Sequence, residues 1–331
     1  MRRRDLITGI GGSAAAWPLA ALAQQSERVR RIGILMSSHE NDPEAQRRAN
    51  LLRDGLRELG WTEGRNVHID VRWAGGDAAR ARAYAAELAR LAPDVIIANS
   101  TLCLKAVREE TNTIPIVFVV VGDPVGQGFV SSLVRPGGNI TGFSAFEFQI
   151  GGKWVELIKE VTPDVRRIEF LFNPEAGLPY ADKFVETITA TAHARDVELV
   201  VSAIRDVGEI EHTIVNAAGG TTTGLIVNPD AFTTANRSLI ISAAARYRLP
   251  AIYAYRFYAA DGGLLSYGHD VNEPWRRAPS YLDKILKGAN PAELPIQQPT
   301  KYELIINLKT AKALGLSIPP QLLDRADELI E

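Results

Sequence analysis

The side chains able to do chemistry in this sequence gather at the ends of its apolar runs. Ser37 and Ser38 follow the run 32–36, Asn99, Ser100 and Thr101 follow 95–98, and Asp123 follows 116–121. In the second half Asn173 and Glu175, Asn228 and Asp230, and Tyr255 and Tyr258 hold similar places. Hydroxyls, amides and carboxylates in such positions suit the capture of a small polar solute by hydrogen bonds and ion pairing. Enzyme constellations are scarce. The five histidines, at 39, 68, 193, 212 and 269, stand at no metal-ligand spacing, and no G-x-S-x-G elbow occurs. His39 and Asp42 could form an acid–base pair, although a surface histidine explains His39 as simply.

Each candidate has a plain structural alternative. Ser100 or Thr101 can cap a helical stretch reaching about Glu110, and the free N–H groups of that helix could hold a carboxylate. Asp230 precedes the helical stretch 233–246 and is either its N-cap or a partner for a ligand ammonium group. Asp123 either bonds its own turn, as Asp commonly does before Pro, or meets the ligand. Phe146, Tyr255 and Tyr258 either pack or stack on an aromatic or cationic solute. The turn "GDPVGQG" at Gly122 is no phosphate cradle: it fits neither G-x-G-x-x-G nor G-x-x-x-x-G-K-[ST]. It also follows the fourth apolar run, whereas the dinucleotide fingerprint belongs to the first strand–helix turn.

The elements that must position these residues alternate. Short β-rich runs at 32–36, 67–71, 95–98 and 116–121 are separated by helical patterns such as 43–59 and 78–91. Such alternation predicts parallel sheets covered by helices on both faces. The order then recurs. "RRIGILMS" at Arg30 is echoed by "RRIEFLFN" at Arg166, and "VHIDVR" at Val67 by "VELVVS" at Val197. "VIIANS" at Val95 meets "LIVNPD" at Leu225, and "IPIVFVV" at Ile114 meets "LPAIYAY" at Leu249. Four echoes in one order predict two similar doubly wound lobes related by duplication. The expected division is 30–143 plus about 272–297 for lobe 1, and 144–271 plus about 298–331 for lobe 2. A chain that crosses repeatedly between lobes makes a multi-strand hinge, and a hinge implies a cleft that closes on a ligand.

Composition narrows the classes further. The 331 residues are 46% hydrophobic and 23% charged, with a net charge of −2, so no basic field for nucleic acid is present. Cys103 is the one cysteine, which excludes an intrachain disulfide, and its apolar surroundings suggest a small core residue. The N-terminus, "MRRRDLITGIGGSAAAWPLAALAQQ", sets three arginines before a weakly apolar run and ends in Ala21-Leu22-Ala23. This pattern predicts an export signal over residues 1–23, twin-arginine-like, cleaved after Ala23. Its removal takes away three arginines and one aspartate, leaving 34 basic against 38 acidic residues, net −4. No later stretch reaches the roughly 20 apolar residues of a transmembrane helix, so a periplasmic protein that is not membrane-embedded is expected.

Four segments carry a family resemblance: "GWTEGRNV" at Gly60, "IPIVFVVVGDPVGQGFVSSLVRPGGNITG" at Ile114, "GGLLSYG" at Gly262 and "LPIQQPTKYELIINLKTAKALGL" at Leu294. With them the chain resembles the extracytoplasmic substrate-binding proteins of ABC importers, in the group that includes binders of tryptophan and other aromatic amino acids. The resemblance implies an α/β fold of the type I periplasmic-binding-protein class, two lobes with three crossovers. It implicates Ser38, Thr101, Asp123, Ser144, Asn173 and Asp230 in ligand binding, with Phe146 and Tyr255 beside them; Ser100 joins them from the residue reading. Many relatives place an acid two positions before the first glycine of "GGLxSYG", where this chain has Ala260 followed by Asp261. The expectation is therefore a monomeric solute receptor without catalysis or cofactor, delivering an amino acid or other carboxylate to an ABC permease and its ATPase. An exported α/β enzyme for a small metabolite, or a ligand-sensing domain of the same fold, is the alternative.

Overall fold

A computed structural model describes residues 28–145, 148–177, 180–219 and 222–331. The expected export signal lies outside the described residues. The elements run β1 (Arg30–Met36), α1 (Pro43–Glu58), β2 (Val67–Trp73), α2 (Ala78–Arg90), β3 (Val95–Asn99), α3 (Ser100–Glu110), β4 (Ile116–Val121) and β5 (Ile140–Ser144). Then come α4 (Ile150–Val161), β6 (Arg167–Phe172), α5 (Pro174–Gly177), α6 (Tyr180–His193), β7 (Glu198–Ala203), α7 (Val207–Ala218), β8 (Thr223–Val227), α8 (Ala231–Ala235) and α9 (Arg237–Arg246). The chain ends with β9 (Ala251–Tyr253), α10 (Arg256–Ala260), β10 (Leu265–His269), α11 (Glu273–Leu286), β11 (Tyr302–Asn307), α12 (Leu308–Leu314), α13 (Pro320–Leu323) and β12 (Glu328–Ile330).

Two sheets result. The first has the order β2-β1-β3-β4-β5, the second β12-β11-β10-β9-β8-β6-β7. Among the described residues every strand pairing is parallel except β10 with β11. The order β2-β1-β3-β4 recurs as β7-β6-β8-β9, and these are the four echoed segment pairs of the sequence. The repeat is thus written in the hydrogen bonding: Arg31 of β1 faces His68 as Arg167 of β6 faces Glu198.

Continuous apolar runs make these strands because both faces are covered. On the first sheet, Leu52 and Leu56 of α1 and Trp275 and Leu282 of α11 bury one face, and α2 and α3 the other through Leu88, Leu104 and Val107. In the second, Trp154 of α4 stacks on Phe184 of α6 at 5.1 Å within one large core. Helix starts follow capping chemistry. Asp42 accepts the Glu44 N–H ahead of α1, with Pro43 at its first position, and Asp77 accepts the Arg80 N–H ahead of α2.

The chain passes between the sheets three times: after β5, between β10 and α11, and between Gln297 and β11. At the first and third crossings the strands touch, since Ser144 donates its N–H to the Gln297 carbonyl (2.8 Å) and Gln297 donates to Gly142 (3.0 Å). The motif "GGLLSYG" owes its last glycine to close packing at β10. A Cβ on Gly268 would lie 1.8 Å from the Ala254 carbonyl oxygen. Among the described residues no helix is long and apolar enough to cross a membrane.

Candidate functional site

The carboxyl ends of both sheets face one another, the place where doubly wound folds bind ligands. Between them lies a cavity of about 30 Å³ whose walls include Ser37, Ser100 and Thr101 from the first lobe and Asp230, Ala231 and Tyr255 from the second. A wider space of about 470 Å³ opens beside it, lined by Gly75, Arg80 and Leu102 of the first lobe and Asn173, Glu175 and Phe232 of the second. Ala176 and Ala231 of the second lobe are buried in the first lobe's core cluster, with Phe232 packed against it.

The first-lobe wall is unusual in its backbone. Ser100 has φ +80° and Val120 +61°, and Asp123 close by has +42°. Left-handed geometry is a genuine outlier for a β-branched residue such as Val120, and strain of this kind concentrates at ligand clamps. It accompanies a bulge in β4, where the register slips between Val119 and Val121. Neither Ser100 nor Thr101 caps α3, because the helix begins at Ser100 and Asn99 holds the cap position. The Asn99 side chain does not cap it either: its Oδ1 accepts the Ser37 hydroxyl at 2.9 Å. Thr101 Oγ1 accepts the Gly122 N–H at 3.3 Å, tying α3 to the glycine turn.

On the opposite wall Asp230 is 1% exposed. It is the N-cap of α8, accepting Thr233 N–H at 2.8 Å, and its other oxygen accepts Asn173 N–H and Asn228 Nδ2. Burial pushes its carboxyl up to about 6, against the pull of these bonds. Tyr255 is 3% exposed and meets His269 edge-on at 5.8 Å.

Two arginines that sequence reading passed over complete the region. Arg48 of α1 borders the cavity at 2% exposure. Arg237, at the start of α9, crosses the cleft to hold Asp42 with two bonds, Nη1–Oδ2 2.7 Å and Nη2–Oδ1 3.0 Å. Its Nε holds Asp261 at 2.7 Å. Both guanidinium groups lie over Phe257, at 5.4 Å and 5.0 Å from the ring centre. Asp42 is therefore committed to a cap and an ion pair, and exposed His39 has no acid–base partner in it. A signal for Arg48 was present: it falls in the stripe Ala45, Arg48, Ala49, Leu52, Leu56, where a helix turns its apolar face inward.

Of the nine expected site residues, Ser100, Thr101, Asp230 and Tyr255 line the cavity. Ser38 is buried beside it, its carbonyl accepting the Gly75 N–H. Asn173 bonds Ile204 and Ala176 as well as Asp230, and it lines the wider interlobe space of about 470 Å³. Ser144 sits in the hinge on Gln297. Asp123 accepts its own turn's Gly126 N–H at 2.9 Å and forms an ion pair with Lys183 of the second lobe, a contact at the rim. Phe146 lies outside the described residues. Cys103 is fully buried, and desolvation pushes its thiol up to about 12.

Comparison with known proteins agrees with this architecture. A family model described as "ABC transporter substrate binding protein" matches residues 38–330. The chain is 27% identical to a tyrosine-binding protein of Clostridioides difficile over 261 residues, 79% of this chain and 74% of that one. A Streptococcus pneumonia structure described as an ABC domain in complex with L-Trp has TM-score 0.82 and 25% identity, covering 91% of this chain and 99% of the other. The ligand-free, open structure of a substrate binding protein with adhesive properties from Clostridium difficile has TM-score 0.63 and 24% identity, with 91% and 99% coverage. With most of its length matched to the family model, the chain belongs to the ABC transporter substrate binding protein family.

Proposed function

We propose that this protein is the extracytoplasmic receptor of an ABC importer, which captures an amino acid or other small carboxylate between its lobes and delivers it to a membrane permease with its ATPase. The observation that carries this reading is the polar cavity enclosed by strand ends from two duplicated lobes, bridged by Asp42–Arg237. Residues 30–143 with about 272–297, and 144–271 with about 298–331, move as two bodies about the three crossings. A higher TM-score to the L-Trp complex than to an open structure of nearly equal identity supports a closed arrangement here. A carboxylate ligand would meet Ser100 and Thr101, with Asp230 and Tyr255 closing from the other lobe. An exported monomer released by cleavage after Ala23 fits this role.

Small molecules released from natively purified protein, identified by mass spectrometry, test the reading. A thermal-shift screen of amino acids, aromatic acids and sugars follows. A ligand at 100 times its Kd adds about 2.7 kcal/mol of stability, well within reach of such a screen. X-ray scattering should show compaction with the same compound. A hit that leaves the scattering profile unchanged, or no hit in any class, would refute a closing solute receptor.

A further inference from the structure

Arg48 holds a buried cation whose bonding is incomplete. Its Nε donates to the Glu44 carbonyl at 3.1 Å, within its own helix. Among the described residues its buried Nη2 has no hydrogen-bond partner, and the residue borders the interlobe cavity. Asp42, whose charge acts on Arg48, is already engaged by Arg237. Asp230, across the cavity, has both oxygens occupied by Asn173, Asn228 and Thr233. Buried charged donors are rarely left unsatisfied, so one that faces a cavity points to a missing anionic acceptor.

Two further donors stand in the same cavity. The buried Ser100 hydroxyl lies in contact with the Cys103 thiol, a weak acceptor, and has no oxygen or nitrogen partner among the described residues. The 11-residue helix α3 opens there with no side-chain cap, because Asn99 is turned to Ser37, and its first-turn N–H groups and dipole favour an anion. The strained φ values at Ser100 and Val120 mark the same wall.

We propose that Arg48 Nη2, the Ser100 hydroxyl and the uncapped N-terminus of α3 form an anion seat, and that the solute is a carboxylate held there by its carboxylate group. This rests on the solute-receptor reading above. All three components belong to the first lobe, so the anion docks in the open form. Phe257, which stacks on Arg48 across the cleft, then covers the seat as the lobes meet. The seat asks for negative charge; an amine or neutral sugar of equal size leaves Arg48 unsatisfied.

Matched probes test this. Binding of L-tyrosine, L-tryptophan and 4-hydroxyphenylacetate is compared with tyramine, tryptamine and 4-hydroxyphenylacetamide, alongside galactose and ribose 5-phosphate. At least one carboxylate should bind, about 10- to 100-fold more tightly than its partner, the worth of a charge-assisted hydrogen bond. Arg48→Met should abolish that preference, Arg48→Lys should keep part of it, and Ser100→Ala should weaken it. Unliganded Arg48→Met should melt no lower than wild type, because it removes an incompletely paired buried charge. A structural arginine would behave oppositely, with lower Tm and unaltered preference, and that result overturns the seat. Binding of galactose, an amine or ribose 5-phosphate without any carboxylate overturns the seat and leaves the receptor reading intact. Failure of every probe to bind overturns the carboxylate assignment as well.

Discussion

Asp42→Asn is the most direct test of what holds the lobes together. Asp42 and Arg237 are 7% and 8% exposed, and their two bonds of 2.7 and 3.0 Å form a bidentate pair across the cleft. Removing one partner of a buried pair costs about 3–5 kcal/mol. Asparagine can still cap α1 through the Glu44 N–H, and Arg237 keeps Asp261 and the Phe257 face. The loss should therefore be smaller, about 2 kcal/mol on the closed form relative to the open one, as for a charge-assisted bond. If the solute binds the closed form, its Kd should rise about 30-fold, mostly through faster release. Calorimetric titration with the identified solute measures this, and scattering from the unliganded variant should show a larger radius. A double-mutant cycle with Arg237→Gln should return a coupling near 2 kcal/mol. Acid should act in the same direction. Burial alone would raise the Asp42 carboxyl, but the bonds and charge of Arg237, with Arg48 and the Glu44 amide, hold it below its usual 3.8. Its contribution to closure is complete above that value and is lost as pH falls through the lower closed-state pKa. Unchanged affinity and an unchanged scattering profile in Asp42→Asn would refute the latch.

Three other outcomes follow from single residues. Ser100→Gly should stabilise the unliganded protein by about 1 kcal/mol in urea unfolding, because glycine relieves a φ of +80°; a less stable variant would show that its hydroxyl supports the fold. Gly268→Ala should cost about 3 kcal/mol, since the new Cβ meets a strand carbonyl at 1.8 Å and backbone must move; wild-type Tm in this variant would contradict the packing of β10. His269 and Asp230 should oppose each other in acid. Burial lowers His269 from 6.5 to about 4, so its contribution is full above 6.5 and lost as pH falls, by about 3 kcal/mol. Burial raises Asp230 from 3.8 to about 6, so its contribution is full below 3.8 and lost as pH rises through 6, again by about 3 kcal/mol. Stability of His269→Asn should thus rise on acidification from pH 6.5 to 4, and that of Asp230→Asn should fall; parallel slopes in all three proteins would contradict these burial effects.

Periodicity and repetition made the fold legible. A strand buried on both faces must be apolar throughout, so 32–36, 95–98 and 116–121 declare themselves locally, and their echoes declare the second sheet. The strand-end rule then brought Ser100, Thr101, Asp230 and Tyr255 to one cavity, because doubly wound topology delivers every such residue to the same edge. The rule does not say which way a side chain is used. Asp230 reads alike as a cap or as an ammonium partner; Asn228 and Thr233 bond it from within three residues, but its third donor, Asn173, stands 57 positions away and is supplied only by the fold. Asp123 likewise reads as a turn residue, and its ion pair with Lys183 requires the lobes to meet.

The sequence by itself determined the two-lobed α/β architecture, the family and the edge at which the polar strand-end residues gather, since these depend on local pattern and on repetition. Only the tertiary structure decided how charge is placed. The apolar stripe of α1 places Arg48 on the inward face, but its surroundings appear only when Phe257 and the strand ends close on it, and Asp42 and Arg237 stand 195 residues apart. Ion pairing and burial depend on distance in space, which no local pattern encodes, so the latch and the anion seat emerge only when the two lobes are closed on one another.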